Sequence, residues 1–162
     1  KWRAYSPATA RIAELVGAQP VTVQAAELSQ AMATGVVDSY MSSGSTGYDS
    51  KTYEHIKNWY DTQAWLPKNA VIVNRSAFNA LDKATQDALL KAASEAETRG
   101  WAASRKANAD TLEKLKANGM QILTPPAQLK ADMKKVGDTM LKEWLDKAGP
   151  EGQQLVDTYR KL

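Results

Sequence analysis

With 43% of its 162 residues apolar, the chain has material for one core of ordinary domain size, and its length argues against two independent domains of typical size. Its 21 Lys and Arg and 18 Asp and Glu are interspersed and leave a net charge of only +3, so the basic stripe of a nucleic-acid-binding surface is excluded and no nucleic-acid partner is expected. Cys is absent, His55 is the one imidazole, and no apolar run approaches the roughly 20 residues that span a bilayer, which excludes disulfide scaffolds, thiol nucleophiles, Cys-ligated zinc and helical membrane spans.

The chain opens on KWRAY, a short aromatic-rich strand, followed by Ser6-Pro7. That pair predicts a helix start, since a Ser N-cap accepts a backbone N–H and Pro at the first helical position loses nothing. The helix carries Ala10, Ile12, Ala13, Leu15 and Val16 and stops at Gly17. Residues 20–23 give a second strand and residues 25–34 a second helix, with Leu28, Ala31 and Met32 at helical spacing and Gly35 at its end. Val36 and Val37 open a third strand leading into Asp38, Ser39 and Tyr40. Two β-α units followed by a third strand predict a twisted, largely parallel α/β sheet, in which strand-to-helix turns are the places for ligand.

Residues 41–49, MSSGSTGYD, predict a loop or a series of turns, and residues 51–58 a short helix with Tyr53 and Ile56 on one side. Residues 59–74 read as extended, with Ala70, Val71, Ile72 and Val73 the clearest strand in the chain. From residue 81 to 118 there is no Pro and one interior Gly, Gly100, and Ala, Leu, Lys and Glu dominate. This predicts one long helix of about 55 Å. Residues 120–123 read as a strand. A helix over 127–148 places Leu129, Met133, Val136, Met140, Leu141, Trp144 and Leu145 on one face, and Gly149-Pro150 separates it from a short terminal helix. Trp101 and Trp144 are expected in core positions.

Candidate chemistry is thin. His55, with Asp49 and Asp61 nearby, lacks a nucleophile elbow and reads as a solvated side chain. Gly44 to Gly47, GSTG, lacks the Lys and spacing of a phosphate loop and reads as a turn. Neither catalytic residues, metal ligands nor a cofactor are expected. Arg3, between Trp2 and Tyr5 and just ahead of the helix start, is placed to direct a guanidinium at the end of a parallel sheet, where its fork matches a carboxylate; on spacing alone a surface ion pair is the simpler reading.

The order KWRAYS, ELVGAQPVTV, AELSQAMATGVVDSYMSSGSTGYDSKTYEHIKNWYDTQAW, LPKNAVIVN and a long Ala-rich helix resembles the C-terminal half of solute-binding proteins of TRAP transporters, the DctP type. The resemblance implies an α/β fold, the C-terminal portion of a two-lobed periplasmic binding protein that has a long bracing helix and a helical C-terminus. On that reading residues 1–74 form a ligand-binding α/β segment with its crossover strand. Residues 75–162 supply the long helix, a short strand and the C-terminal helices, one incomplete unit without most of its N-terminal lobe. The implied function is non-enzymatic: capture of a small organic carboxylate and its delivery to the TRAP membrane permease subunits. Arg3 matches the family's carboxylate-pairing position, with Ser6, Tyr40, Ser42 and Trp65 as further ligand-binding residues and Met41 also facing the cleft. A fragment of this kind is expected to self-associate or to retain the missing N-terminal half as a partner. The competing function is a helical protein-interaction module built on the long helix and the face from Leu129 to Leu145.

Overall fold

The structure is a computed structural model and describes residues 1–67 and 69–162. Strand β1 (Trp2–Ala4) runs parallel to β2 (Pro20–Thr22) on one side and to β3 (Ser39–Tyr40) on the other, giving the order β2-β1-β3. A second parallel pair joins β4 (Asn58–Tyr60) to β5 (Gln121–Leu123). All described pairings are thus parallel, as the β-α alternation predicts.

Helix α1 (Pro7–Leu15) starts at Ser6, whose Oγ accepts from Thr9 N at 3.2 Å, while the Thr9 hydroxyl oxygen accepts from Ser6 N at 3.0 Å. This reciprocal cap, followed by Pro at the first helical position, fixes the exit angle of β1. Gly17, at φ 76°, reverses the chain into β2. Helix α2 (Leu28–Ala33) follows a single 3-10 turn at Ala25–Glu27. The core gathers here: Val23, Leu28, Ala31, Met32 and Val37 are buried together, with Val21, Tyr40 and Ile56 packed against them.

Several expectations are corrected. Val36 and Val37 are not strand: both backbone N–H groups turn back onto Ala31 O, closing α2, so the strand begins three residues later than expected, at Ser39. The GSTG segment is a short helix, α3 (Gly44–Asp49), capped by Ser43 Oγ accepting from Thr46 N. Its small residues allow close approach: a Cβ at Gly44 would lie 3.1 Å from Thr111 Oγ1. The helix expected over 51–58 shrinks to a 3-10 turn, Thr52–Glu54, before β4 takes over. Most telling, Val71, Ile72 and Val73 form no strand and stand exposed at 107, 88 and 64%. A strand exists only where a ladder partner does, and no described segment supplies one.

After α4 (Arg75–Asn79), the long helix forms as expected: α5 (Lys83–Ala117) is 35 residues, capped by Asp82 and stopped at Asn118-Gly119. Only Thr111 and Leu115 on it are buried. Helix α6 (Ala127–Tyr159) joins the two predicted C-terminal helices across a kink at Gly149, φ 66°, followed by Pro150. The face from Leu129 to Leu145 is half-covered in the expected register, except at Trp144. Trp101 and Trp144, expected in the core, are 53 and 43% exposed because no second layer covers those faces among the described residues.

Candidate ligand-binding site

Arg3 is the centre of β1 and pairs in register with Val21 on one side and Tyr40 on the other. Register partners of parallel strands share a face, so Arg3 and Tyr40 lie side by side above the core, while Trp2 points to the opposite face. There Trp2 lines a groove with Leu15, Val16, Leu129, Met133 and Val136, separate from the Arg3 neighbourhood.

The Arg3 side chain is 3% exposed. Its Nε donates to Val23 O at 2.8 Å, just past the end of β2, and its guanidinium carbon sits 4.8 Å above the Tyr5 ring, just past the end of β1. Both contacts draw the guanidinium to the carboxyl edge of the sheet, where open parallel sheets take up ligands. No acidic side chain pairs with Arg3 among the described residues, and neither terminal nitrogen has a hydrogen bond there. The surface ion pair open at the level of spacing is thereby set aside. Burial pushes the guanidinium below its ordinary value, with Tyr5 and Tyr40 acting in the opposite sense; an arginine stays protonated regardless.

Tyr40 is half-buried, and burial raises its phenol above the usual range, opposed by its hydrogen bond with Thr52 and by the charge of Arg3. Its hydroxyl lies 2.8 Å from Thr52 Oγ1, which in turn donates to Gly47 O at 3.0 Å. Ser42 follows β3 by two residues, half-buried and without a side-chain hydrogen bond among the described residues. Arg3, Tyr40 and Ser42 therefore come from the adjacent strands β1 and β3 and the turn that follows β3. Ser6 is the cap of α1, its oxygen already engaged. Trp65 lies in the extended segment after β4, with its indole N–H buried and lacking an acceptor among the described residues. Met41 is half-buried beside Tyr40, and His55 is exposed. Sequence reasoning missed Thr52 and Gly47. A buried Thr with a Gly five residues before it carries no local signal; only the fold brings them to Tyr40.

Among the described residues no group of acidic or His side chains is arranged to hold a metal ion. The site is a fixed cation with aromatic and hydroxyl neighbours, suited to holding an organic anion rather than to transforming it.

Residues 1–147 match the profile of DctP, described as bacterial extracellular solute-binding protein, family 7. The chain belongs to this family. Structures of DctP solute-binding proteins superpose closely. DctP6 of Bordetella pertussis, an extracytoplasmic solute receptor binding pyroglutamic acid, is 65% identical with a TM-score of 0.94, over 99% of this chain and 54% of that one. A marine-metagenome TRAP solute-binding protein specific for pyroglutamate is 42% identical with a TM-score of 0.91, over 100% of this chain and 53% of that one. An uncharacterized protein of Haemophilus influenzae is 28% identical over 141 residues, 80% of this chain and 43% of that protein. The chain thus spans about half the length of these relatives. Membership of the DctP family bears out the fold class expected from the resemblance. The family's extracellular, solute-binding description also agrees with the expected periplasmic location and non-enzymatic role.

Proposed function

We propose that this chain is the carboxylate-gripping part of an extracytoplasmic receptor that binds pyroglutamate and delivers it to the membrane permease of a TRAP transporter. One observation carries the reading: the Arg3 guanidinium is held at the sheet's carboxyl edge by Val23 O and Tyr5, yet its two terminal nitrogens have no partner among the described residues. A fork held at its root with free tips fits a bidentate carboxylate. The 65% identity with a pyroglutamic acid receptor over 99% of the chain supports the choice of acid. Tyr40 and Ser42 flank the carboxylate, Trp65 contributes an aromatic wall with a spare N–H donor, and Ser6 acts through α1.

In this reading residues 1–74 carry the ligand contacts and residues 75–162 the bracing helices. The exposed Leu66, Val71, Ile72 and Val73 support a working state in which further polypeptide of a relative-sized receptor covers that edge.

The test is titration calorimetry of the full-length protein with pyroglutamate, joined to native mass spectrometry of freshly purified material. One-to-one binding, or a co-purified mass matching pyroglutamate, is expected. Absence of binding with a different acid co-purified would overturn the choice of ligand.

A further inference from the structure

Tyr40 and Thr52 share a hydrogen bond that by distance alone runs either way. The fold decides its direction. Thr52 has one hydroxyl proton, and that oxygen lies 3.0 Å from Gly47 O, a carbonyl that can only accept. The Thr52 proton is therefore spent on Gly47, and its oxygen must accept from Tyr40. The Tyr40 proton in turn is spent on Thr52. Thr52 is fully buried, so water does not compete for this chain of bonds. Gly47 tightens it further, since a Cβ there would sit 2.9 Å from the Tyr40 hydroxyl oxygen.

We infer that Tyr40 is the specificity-determining residue of the Arg3 site, presenting to the ligand a hydroxyl oxygen that can accept but not donate, and so selecting carboxylates that carry an N–H donor. The inference rests on the pyroglutamate reading above. Arg3 and Tyr40 are register neighbours on one face, so a small acid whose carboxylate is gripped by the guanidinium can turn one of the two atoms flanking its carboxyl-bearing carbon toward Tyr40. In pyroglutamate one of those two atoms is the lactam N–H. Arg3 supplies only donors and Tyr40 only an acceptor, which makes the pair complementary to a carboxylate beside an N–H and hostile to an acceptor in the second position. A buried acceptor left unpaired is costly, so analogues without the N–H are rejected rather than merely bound less tightly.

The experiment measures affinities of the full-length protein for pyroglutamate and for its carbocyclic analogue, in which CH2 replaces the ring N–H and the ketone and carboxylate remain. The wild type is expected to prefer pyroglutamate by about tenfold or more, the size of one hydrogen bond lost with its partner left unpaired. Tyr40→Phe is expected to cut that preference to about twofold or less. Thr52→Val, which frees the Tyr40 proton to donate, is expected to reduce it as well, and Thr52→Ser, which keeps the relay, to preserve it. Equal loss of affinity for both ligands in Tyr40→Phe marks a merely structural tyrosine and overturns the inference while leaving the pyroglutamate reading intact. An unchanged preference in Tyr40→Phe overturns it equally. If the wild type binds neither compound, the functional reading itself fails, and this inference with it.

Discussion

Arg11 of α1 and Glu143 of α6, 132 residues apart, form a forked pair in which Arg11 Nε donates to both carboxylate oxygens at 3.1 and 3.2 Å. Arg11 also reaches Glu14 at 2.9 Å, so one guanidinium ties the first and last helices together. Hydrogen bonding from Arg11 holds the Glu143 carboxyl below its ordinary 4.5, with desolvation opposing and the charges of Arg11 and Lys147 assisting. A carboxyl depressed in the folded state stabilises above its unfolded value and loses that contribution as pH falls through its folded value. Glu143→Gln is therefore expected to lower the urea midpoint at about pH 7, with the difference from wild type shrinking as pH falls below about 4.5 and through the lowered folded value. Both side chains are partly exposed, so added salt should reduce the difference too. A gap that persists unchanged in acid would show that Glu143 acts by packing alone.

Ser6 illustrates how one residue type satisfies two readings. The family resemblance assigns it to ligand; the structure spends its oxygen on Thr9 N, at the head of α1. Ser6→Ala is expected to destabilise the protein by about 1 kcal/mol, within the usual range for a lost N-cap, and Ser6→Asp to retain most of the stability. Pyroglutamate affinity should change by less than about threefold in either variant, since no net ligand hydrogen bond is lost. Chemical denaturation and calorimetry on the same preparations separate the two effects.

Gly47 lies under the Tyr40–Thr52 relay. Its missing side chain is filled on three sides: a Cβ would meet Tyr40 Oη at 2.9 Å, Thr52 Oγ1 at 3.4 Å and Trp59 Cζ3 at 3.5 Å. Tyr40 cannot swing away freely, because its hydroxyl is bonded to a buried Thr. Gly47→Ala is expected to cost about 1–3 kcal/mol of overpacking, read as a lower denaturation midpoint. Paired with Tyr40→Phe, which removes the closest atom, the loss should be partly recovered. Independent, additive effects would show that the clash is relieved elsewhere.

What the sequence revealed depended on how local each cause was. Ser6-Pro7 and Asn118-Gly119 act within one turn of themselves, so the start of α1 and the end of α5 were readable from the residues. The parallel sheet followed from the repeated β-α pattern, and Arg3 from its place in β1. Val71, Ile72 and Val73 misled because an apolar β-branched run states what a segment can do, whereas a strand also needs a partner. Gly44 to Gly47 misled in the other direction: weak helix formers became helix α3 because Ser43 caps it and Gly44 lets it lie against Thr111 and Leu112. Trp101 and Trp144 obey their helical spacing, yet spacing cannot supply the layer that would bury them. At the site, the cation was legible and the wiring of Tyr40 through Thr52 to Gly47 was not, because it joins residues 12 and 5 apart only through the fold.

Arg3 gives the most direct test of the ligand grip. Arg3→Lys keeps a positive charge but removes the fork, the Nε bond to Val23 O and the planar group resting on Tyr5. If the terminal nitrogens hold the carboxylate, pyroglutamate affinity should fall by about ten- to a hundredfold, the range expected for loss of charge-assisted hydrogen bonds. Arg3→Met, which also removes the charge, should fall further. Stability needs separate measurement, because Val23 O loses its partner in both variants. Because both variants lose the same buried bond to Val23 O, they should unfold at similar urea concentrations, below that of wild type, while differing in affinity. Equal affinities in wild type, Arg3→Lys and Arg3→Met would place the carboxylate elsewhere in the protein.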